Sequence, residues 1–204
     1  QYAEIWGNIT DENYYQDTNY VSNSMLSLCR HNSSKKLWHM LNNPEELEVF
    51  KFGSAFHCMI LEPKEFTKRY TFAPKIDKRT KAGKEEYAKF ITESNGKVIL
   101  QNKYYNTLNG MYDEVMGGSG HRAAMELISN NNCSYEENVC WKNKRTFINC
   151  KGKFDIINNK AKYIADIKTT VDASLEGFKK SIRNFKYHKQ AAFYLDALGY
   201  NDYY

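Results

Sequence analysis

The sequence predicts an α/β (α+β) fold, mainly helical in its first part, with a sheet that begins near residue 134. Three observations lead there. Apolar residues recur at helical spacing between cap and stop signals as far as about residue 130. The pattern then changes to runs of β-branched and aromatic residues separated by turn chemistry at "KNK" and "NN". Two further helical segments follow those runs.

Taken in order, residues 1–18 are rich in Asn, Asp and Tyr without a clear period, and are expected as an extended lead-in. "YVSNSMLSLCRH" reads as a helix carrying Met25, Leu26 and Leu28, capped by Ser22 or Asn23. "NNPEELEVF" repeats that logic, with Asn43 as cap and Pro44 in the first turn. "FKFGSAFHCMILEP" is an apolar helix interrupted by His57 and ended by Pro63. Residues 74–84, "PKIDKRTKAGK", form a basic loop before the helix "KEEYAKFITES". From 101 to 116, Tyr104, Leu108, Met111, Tyr112 and Val115 mark an amphipathic helix, stopped by "GGSG" and followed by the short helix "HRAAMELIS".

"SYEENVCW", "RTFINCKGKFDII" and "KYIADIKTT" predict a three-stranded antiparallel meander. The helices "SLEGFKKSIRN" and "YHKQAAFYLDALG" come next, the second ended by Gly199, and "YNDYY" opens another strand. No repeat or low-complexity tract marks a boundary. The expectation is a single domain over 1–204, with the lead-in, a mainly helical part over 19–130, and a sheet-and-helix core over 134–204.

Composition narrows the function classes. A net charge of +5 and a pI near 8.8 are compatible with a polyanionic partner without requiring one. No apolar run is long enough to span a membrane and no signal pattern opens the chain, so an intracellular, cytoplasmic protein with no membrane partner is expected. The five cysteines are scattered without a C-x-x-C pair, which argues against a disulfide framework or a thiolate metal site.

The chemistry is concentrated in "KGKFDIINNKAKYIADIKTT". On a strand Asp166 and Lys168 share a face, and Asp155 of the adjoining strand can reach the same end. Two carboxylates beside an ammonium suit Mg²⁺ or Mn²⁺ and phosphodiester hydrolysis. The same Asp-x-Lys pattern also describes a solvent-facing ion pair of little energetic weight. Taken alone, His57 reads as a half-buried structural histidine before a ligand, and Gln190 and Tyr194 as packing and surface residues before site residues.

Order adds specificity. Asp155, then Asp166-Ile167-Lys168, then Gln190 and Tyr194 on a following helix resembles the D…(D/E)-x-K…Q-x-x-x-Y succession of the RecB-type branch of the PD-(D/E)XK nucleases, and "FGSAFHCMILEP" resembles that branch's G-x-x-x-H helix. "YVSNSMLS", "KIDKRTKAGK", "CKGKFD" and "ADIKTTVDAS" narrow the resemblance to the C-terminal nuclease domain of RecE (exonuclease VIII) and its phage relatives, from about residue 19 onward.

That resemblance implies a restriction-endonuclease-like core, a mixed central sheet flanked by helices. It implies a Mg²⁺-dependent 5′-to-3′ exonuclease on double-stranded DNA ends, in a bacterial or phage-infected cell. Such an enzyme leaves 3′ single-stranded tails for a RecT-like annealing protein and works as a homo-oligomeric ring. Carried over, His57, Asp155, Asp166 and the Ile167 carbonyl hold two metal ions, with Mn²⁺ as possible substitute, and Lys168 is the catalytic lysine. Glu136 is a further acidic candidate, in competition with Glu137. Gln190 and Tyr194 brace the site or meet the DNA backbone; Ser24 falls at a phosphate-pocket serine, and Arg79 and Lys81 of the basic loop track phosphates. The rival readings are a non-catalytic DNA-binding module and an endonucleolytic or Cas4-like relative.

Overall fold

A computed structural model describes residues 3–8, 11–31, 33–43, 47–117 and 121–204. The chain divides into two units, Gln1–Glu45 with Leu127–Tyr204, and Glu46–Glu126. The beginning of the first unit departs from an extended lead-in. Ala3–Asn8 is a strand (β1) and Asp11–Gln16 a helix (α1). Helix α2 (Asn23–His31) is capped by Ser22, whose Oγ accepts the Met25 N–H at 3.3 Å.

Asn43 does not cap a new helix. It closes α3 (Ser34–Asn42), its backbone N–H donating to the His39 carbonyl at 2.9 Å, while Ser33 caps the other end. Helix α3 buries none of its residues, and its apolar side chains Trp38, Met40 and Leu41 are exposed. Residues 44–46, with Pro44, and 118–120 of "GGSG" lie outside the described residues.

In the second unit, the pattern read as two helices yields α4 (Glu48–Leu61), with Leu47 at its N-cap position. Pro63 ends α4 and also opens α5 (Pro63–Arg69), since a missing N–H costs nothing in a first helical turn. A two-stranded parallel sheet, β2 (Tyr70–Phe72) with β3 (Val98–Leu100), was not legible in the sequence. Helix α6 (Lys81–Glu93) starts at Thr80, whose Oγ accepts the Gly83 N–H at 3.0 Å. Helix α7 (Tyr104–Gly117) buries Leu108 fully, and α4 packs against α7 and β3, where Leu100 is also fully buried. Helix α8 (Arg122–Ile128) leads back to the first unit.

The predicted meander is present as β4 (Cys133–Asn143), β5 (Asn149–Asn158) and β6 (Tyr163–Ala165). The sheet runs β1-β4-β5-β6-β7, with β7 (Asp202–Tyr203) parallel to β6 and the other pairs antiparallel. Helix α9 (Leu175–Phe185) is capped by Ser174, and α10 (Tyr187–Leu198) ends at Gly199 with φ +66°, a left-handed geometry open to glycine. Helix α10 lies against the sheet, where Trp141, Phe154 and Ile164 are fully buried and Tyr194 and Ala197 nearly so. Each such large apolar side chain stabilises the fold by about 1.5–3 kcal/mol relative to exposure. This packing fixes α10 relative to β5, which is what positions the site.

Candidate functional site

The site begins with the register of β4 on β5. Tyr135 pairs with Ile156 and Glu137 with Phe154, so Glu136 lies opposite Asp155. A carboxylate oxygen of Glu136 lies within 4.8 Å of one of Asp155. Of the two glutamates, Glu136 is the one grouped with Asp155, and its carboxylate also meets Lys153. The backbone at Glu136 is left-handed, with φ +53°, a conformation unfavourable for a residue bearing Cβ and characteristic of functional positions. Lys153, two residues before Asp155, places Nζ 3.0 Å from Glu136 Oε2 and offsets part of the acidic charge.

Asp166 and Lys168 are not on a strand, as the alternation argument required. Strand β6 ends at Ala165, and the next two amides tie the segment beyond it to the residue after β7 and to β5. The Asp166 N–H donates to the Tyr204 carbonyl at 3.0 Å, and the Ile167 N–H donates to Asp155 Oδ2 at 2.7 Å. This second bond brings the Asp-Ile-Lys segment onto the Asp155 carboxylate. Lys168 Nζ forms an ion pair with Asp166 Oδ2, so the two still face the same way. The Asp166 side chain is 4% exposed and Asp155 is buried, which makes their partners energetically important.

Helix α10 supplies the bracing. Gln190 Nε2 donates to Asp166 Oδ1 at 2.7 Å. Tyr194, one turn on, donates from its hydroxyl to the Lys153 carbonyl at 2.9 Å and stacks on Phe154 with ring centroids 4.2 Å apart. Its phenol is held well above its ordinary range, by burial first and then by negative charge around it, including Asp166 and Asp155. Of the two roles the sequence allowed, Tyr194 has the position of a brace, its side chain lying inside the fold.

Two residues at the site carry no sequence signal. Lys168 Nζ lies 5.3 Å from the centre of the Tyr187 ring, whose phenol is raised by burial. The Tyr203 phenol is raised strongly, by burial and then by the charge of Asp166. Both are aromatic residues in ordinary helix and strand patterns, so only their approach to Asp166 and Lys168 distinguishes them.

The remaining candidates are placed as follows. Ser24 is exposed in the first turn of α2, its Oγ 2.9 Å from that of the capping residue Ser22. Arg79 and Lys81 belong to the second unit and are almost fully exposed. Arg79 is gripped by both carboxylate oxygens of Asp77, at 3.0 and 3.1 Å, and these bonds hold Asp77 below its ordinary carboxylate pKa. His57 is half-buried on α4 of the second unit, among the buried residues Ala55, Phe56 and Cys58.

Glu136 and Asp155 are hard oxygen donors fixed on opposing rungs, with Asp166 tied to the same place through Ile167. This donor set fits a divalent cation of the Mg²⁺ class. Among the described residues, no helix is long and apolar enough to cross a membrane. The sequence matches no curated protein. Residues 22–202 match a family described as a PDDEXK-like domain of unknown function, from the cap of α2 to the first residue of β7. A match over that length, on a mixed sheet whose strands β4 and β5 carry Glu136 and Asp155, places this chain in the PDDEXK-like domain family.

Proposed function

We propose that the chain is a divalent-metal-dependent deoxyribonuclease that degrades double-stranded DNA from its ends in the 5′-to-3′ direction. The observation that carries the hydrolytic reading is the Ile167 N–H on Asp155, which joins Asp166 and Lys168 to the carboxylate pair of β4 and β5. Glu136, Asp155 and Asp166, with the Ile167 carbonyl, would hold Mg²⁺, or Mn²⁺ in its place, as two ions. Such ions, when bound, acidify water and neutralise phosphoryl charge. His57 is proposed as a further ligand on its G-x-x-x-H motif.

Lys168, held by Asp166, orients the attacking water and offsets charge on the phosphoryl oxygens. Gln190 fixes the Asp166 carboxylate so that the lysine is presented in one direction. Direction of digestion, end preference, a ring-shaped oligomer and delivery of 3′ tails to a RecT-like annealing protein rest on the resemblance to the RecE nuclease domain.

The test is digestion of linear duplex DNA labelled at the 5′ or the 3′ end, in Mg²⁺ and in EDTA, with a covalently closed circle as control. Metal-dependent loss of the 5′ label with the circle spared is the expected result. A cut circle would assign an endonuclease, and folded protein that binds duplex without cutting would assign a binding module.

A further inference from the structure

A cavity of about 260 Å³ opens on Asp166 and Lys168 within the first unit. Its other walls include Phe178 and Ile182 of α9, Tyr187 of α10 and Tyr203 of β7. The Phe178 and Tyr187 rings stand 6.4 Å apart at 42°, and Lys168 Nζ approaches the Tyr187 face. The cavity is therefore apolar and aromatic along its walls, with an ammonium and a carboxylate at one end. It is smaller than the roughly 300–1,000 Å³ of sites that hold drug-sized ligands.

Helix α9 supports a ligand rather than a core explanation. Leu175, Phe178, Ile182 and Phe185 recur at helical spacing, yet no residue of α9 is buried. Leu175 and Phe185 are 71% and 68% exposed. Lys179, Lys180 and Arg183 share that helix, so an apolar stripe beside the acidic site is accompanied by basic charge suited to a nucleic-acid backbone.

We infer that this cavity receives one nucleobase of the strand being cut, unstacked from its neighbours and laid against Phe178 and Tyr187. The inference rests on the nuclease reading and names the substrate form at the site: a single-stranded or frayed end, not an intact base pair. A nucleobase suits the cavity because every base offers a flat π-face to an aromatic wall while its own phosphate stays outside, near Lys168.

The test measures binding of a fluorescein-labelled single-stranded DNA oligonucleotide in EDTA, with each nucleotide in turn replaced by an abasic one. In the unmodified protein one abasic position should weaken binding about tenfold, the scale of a single base–aromatic stack. In Phe178→Ala that position should cost nothing further, because base and ring are two halves of one contact. Ala191→Phe, which fills the cavity from α10, should abolish the abasic effect in the same way. A uniform response to every abasic position, an abasic effect that persists in both variants, or no binding of the oligonucleotide overturns the inference. Duplex digestion separates the two readings: cleavage without a sensitive position leaves a nuclease and removes the base pocket, and a sensitive position without cleavage does the reverse.

Discussion

Gln190 Nε2 donates to Asp166 Oδ1 at 2.7 Å, joining the first turn of α10 to the first residue beyond β6. The bond spans two elements that meet only through packing of α10 on the sheet. Gln190→Leu removes the donor and leaves a buried carboxylate oxygen to be compensated by other groups. The expected cost is about 1–3 kcal/mol, read as a lower urea midpoint with unchanged slope. Digestion should fall with it, because Asp166 no longer holds Lys168 in one direction.

Asp155→Asn separates metal binding from folding. The Asn side-chain oxygen can still accept the Ile167 N–H, so the protein should fold. The hard anionic donor is lost. Mg²⁺ affinity by calorimetry should drop at least tenfold, on the order of what ligand-shell changes cost metal sites, and digestion should cease. Unchanged Mg²⁺ affinity would remove Asp155 from the ligand set.

Gly152 on β5 is a close-approach position. A Cβ there would come within 2.8 Å of Tyr194 Cε1 and 3.0 Å of Phe154 Cε2. Gly152→Ala should therefore destabilise by about 1–3 kcal/mol, as overpacking does, and displace α10 from the sheet. Because Gln190 rides on the same helix, thermal midpoint and activity should fall together.

Stability should decline in alkali. Burial raises the Tyr14 and Tyr163 phenols to about 12 from an ordinary 10.0, and the Cys150 thiol to about 11 from 9.0. Above pH 9 the unfolded chain releases protons that the folded one retains, so this contribution is whole below pH 9 and is lost as the pH rises through about 11 and 12. Lys151 works against it: burial lowers its pKa, so its contribution improves with pH up to 10.5. The raised phenols of Tyr187, Tyr194 and Tyr203 act in the same direction as these three groups and together outweigh Lys151, so the urea midpoint should fall above pH 9. Tyr14→Phe should flatten the decline.

Arg79 and Lys81 are tested through salt. If Arg79, before the Thr80 cap, and Lys81, the first residue of α6, follow phosphates, Arg79→Ala and Lys81→Ala should each reduce the slope of log affinity for duplex DNA against log salt by about 0.9. They should do so for every DNA sequence alike. Unchanged slopes would leave both as solvated charges, Arg79 paired with Asp77.

The sequence by itself determined the meander, the last two helices and the order of the chemistry. Alternation announced β4, β5 and β6; Ser174 and Gly199 bounded the last two helices; and Asp155, Asp166, Lys168 and Gln190 followed in nuclease order. These features depend on residues a few positions apart, whose spacing is fixed by helix and strand geometry. Tertiary structure decided what depends on distant partners. The meeting of β4 and β5 brought Glu136 to Asp155, the Asp155 carboxylate took the Ile167 amide and drew the Asp-Ile-Lys segment to it, and pairing with β4 made a strand of the aperiodic residues Ala3–Asn8. The cavity beside Lys168 was decided the same way, since Phe178, Tyr187 and Tyr203 come together only when α9, α10 and β7 do. No local period encodes those meetings, because a register or a docking depth is set by the whole sheet on which the pieces pack.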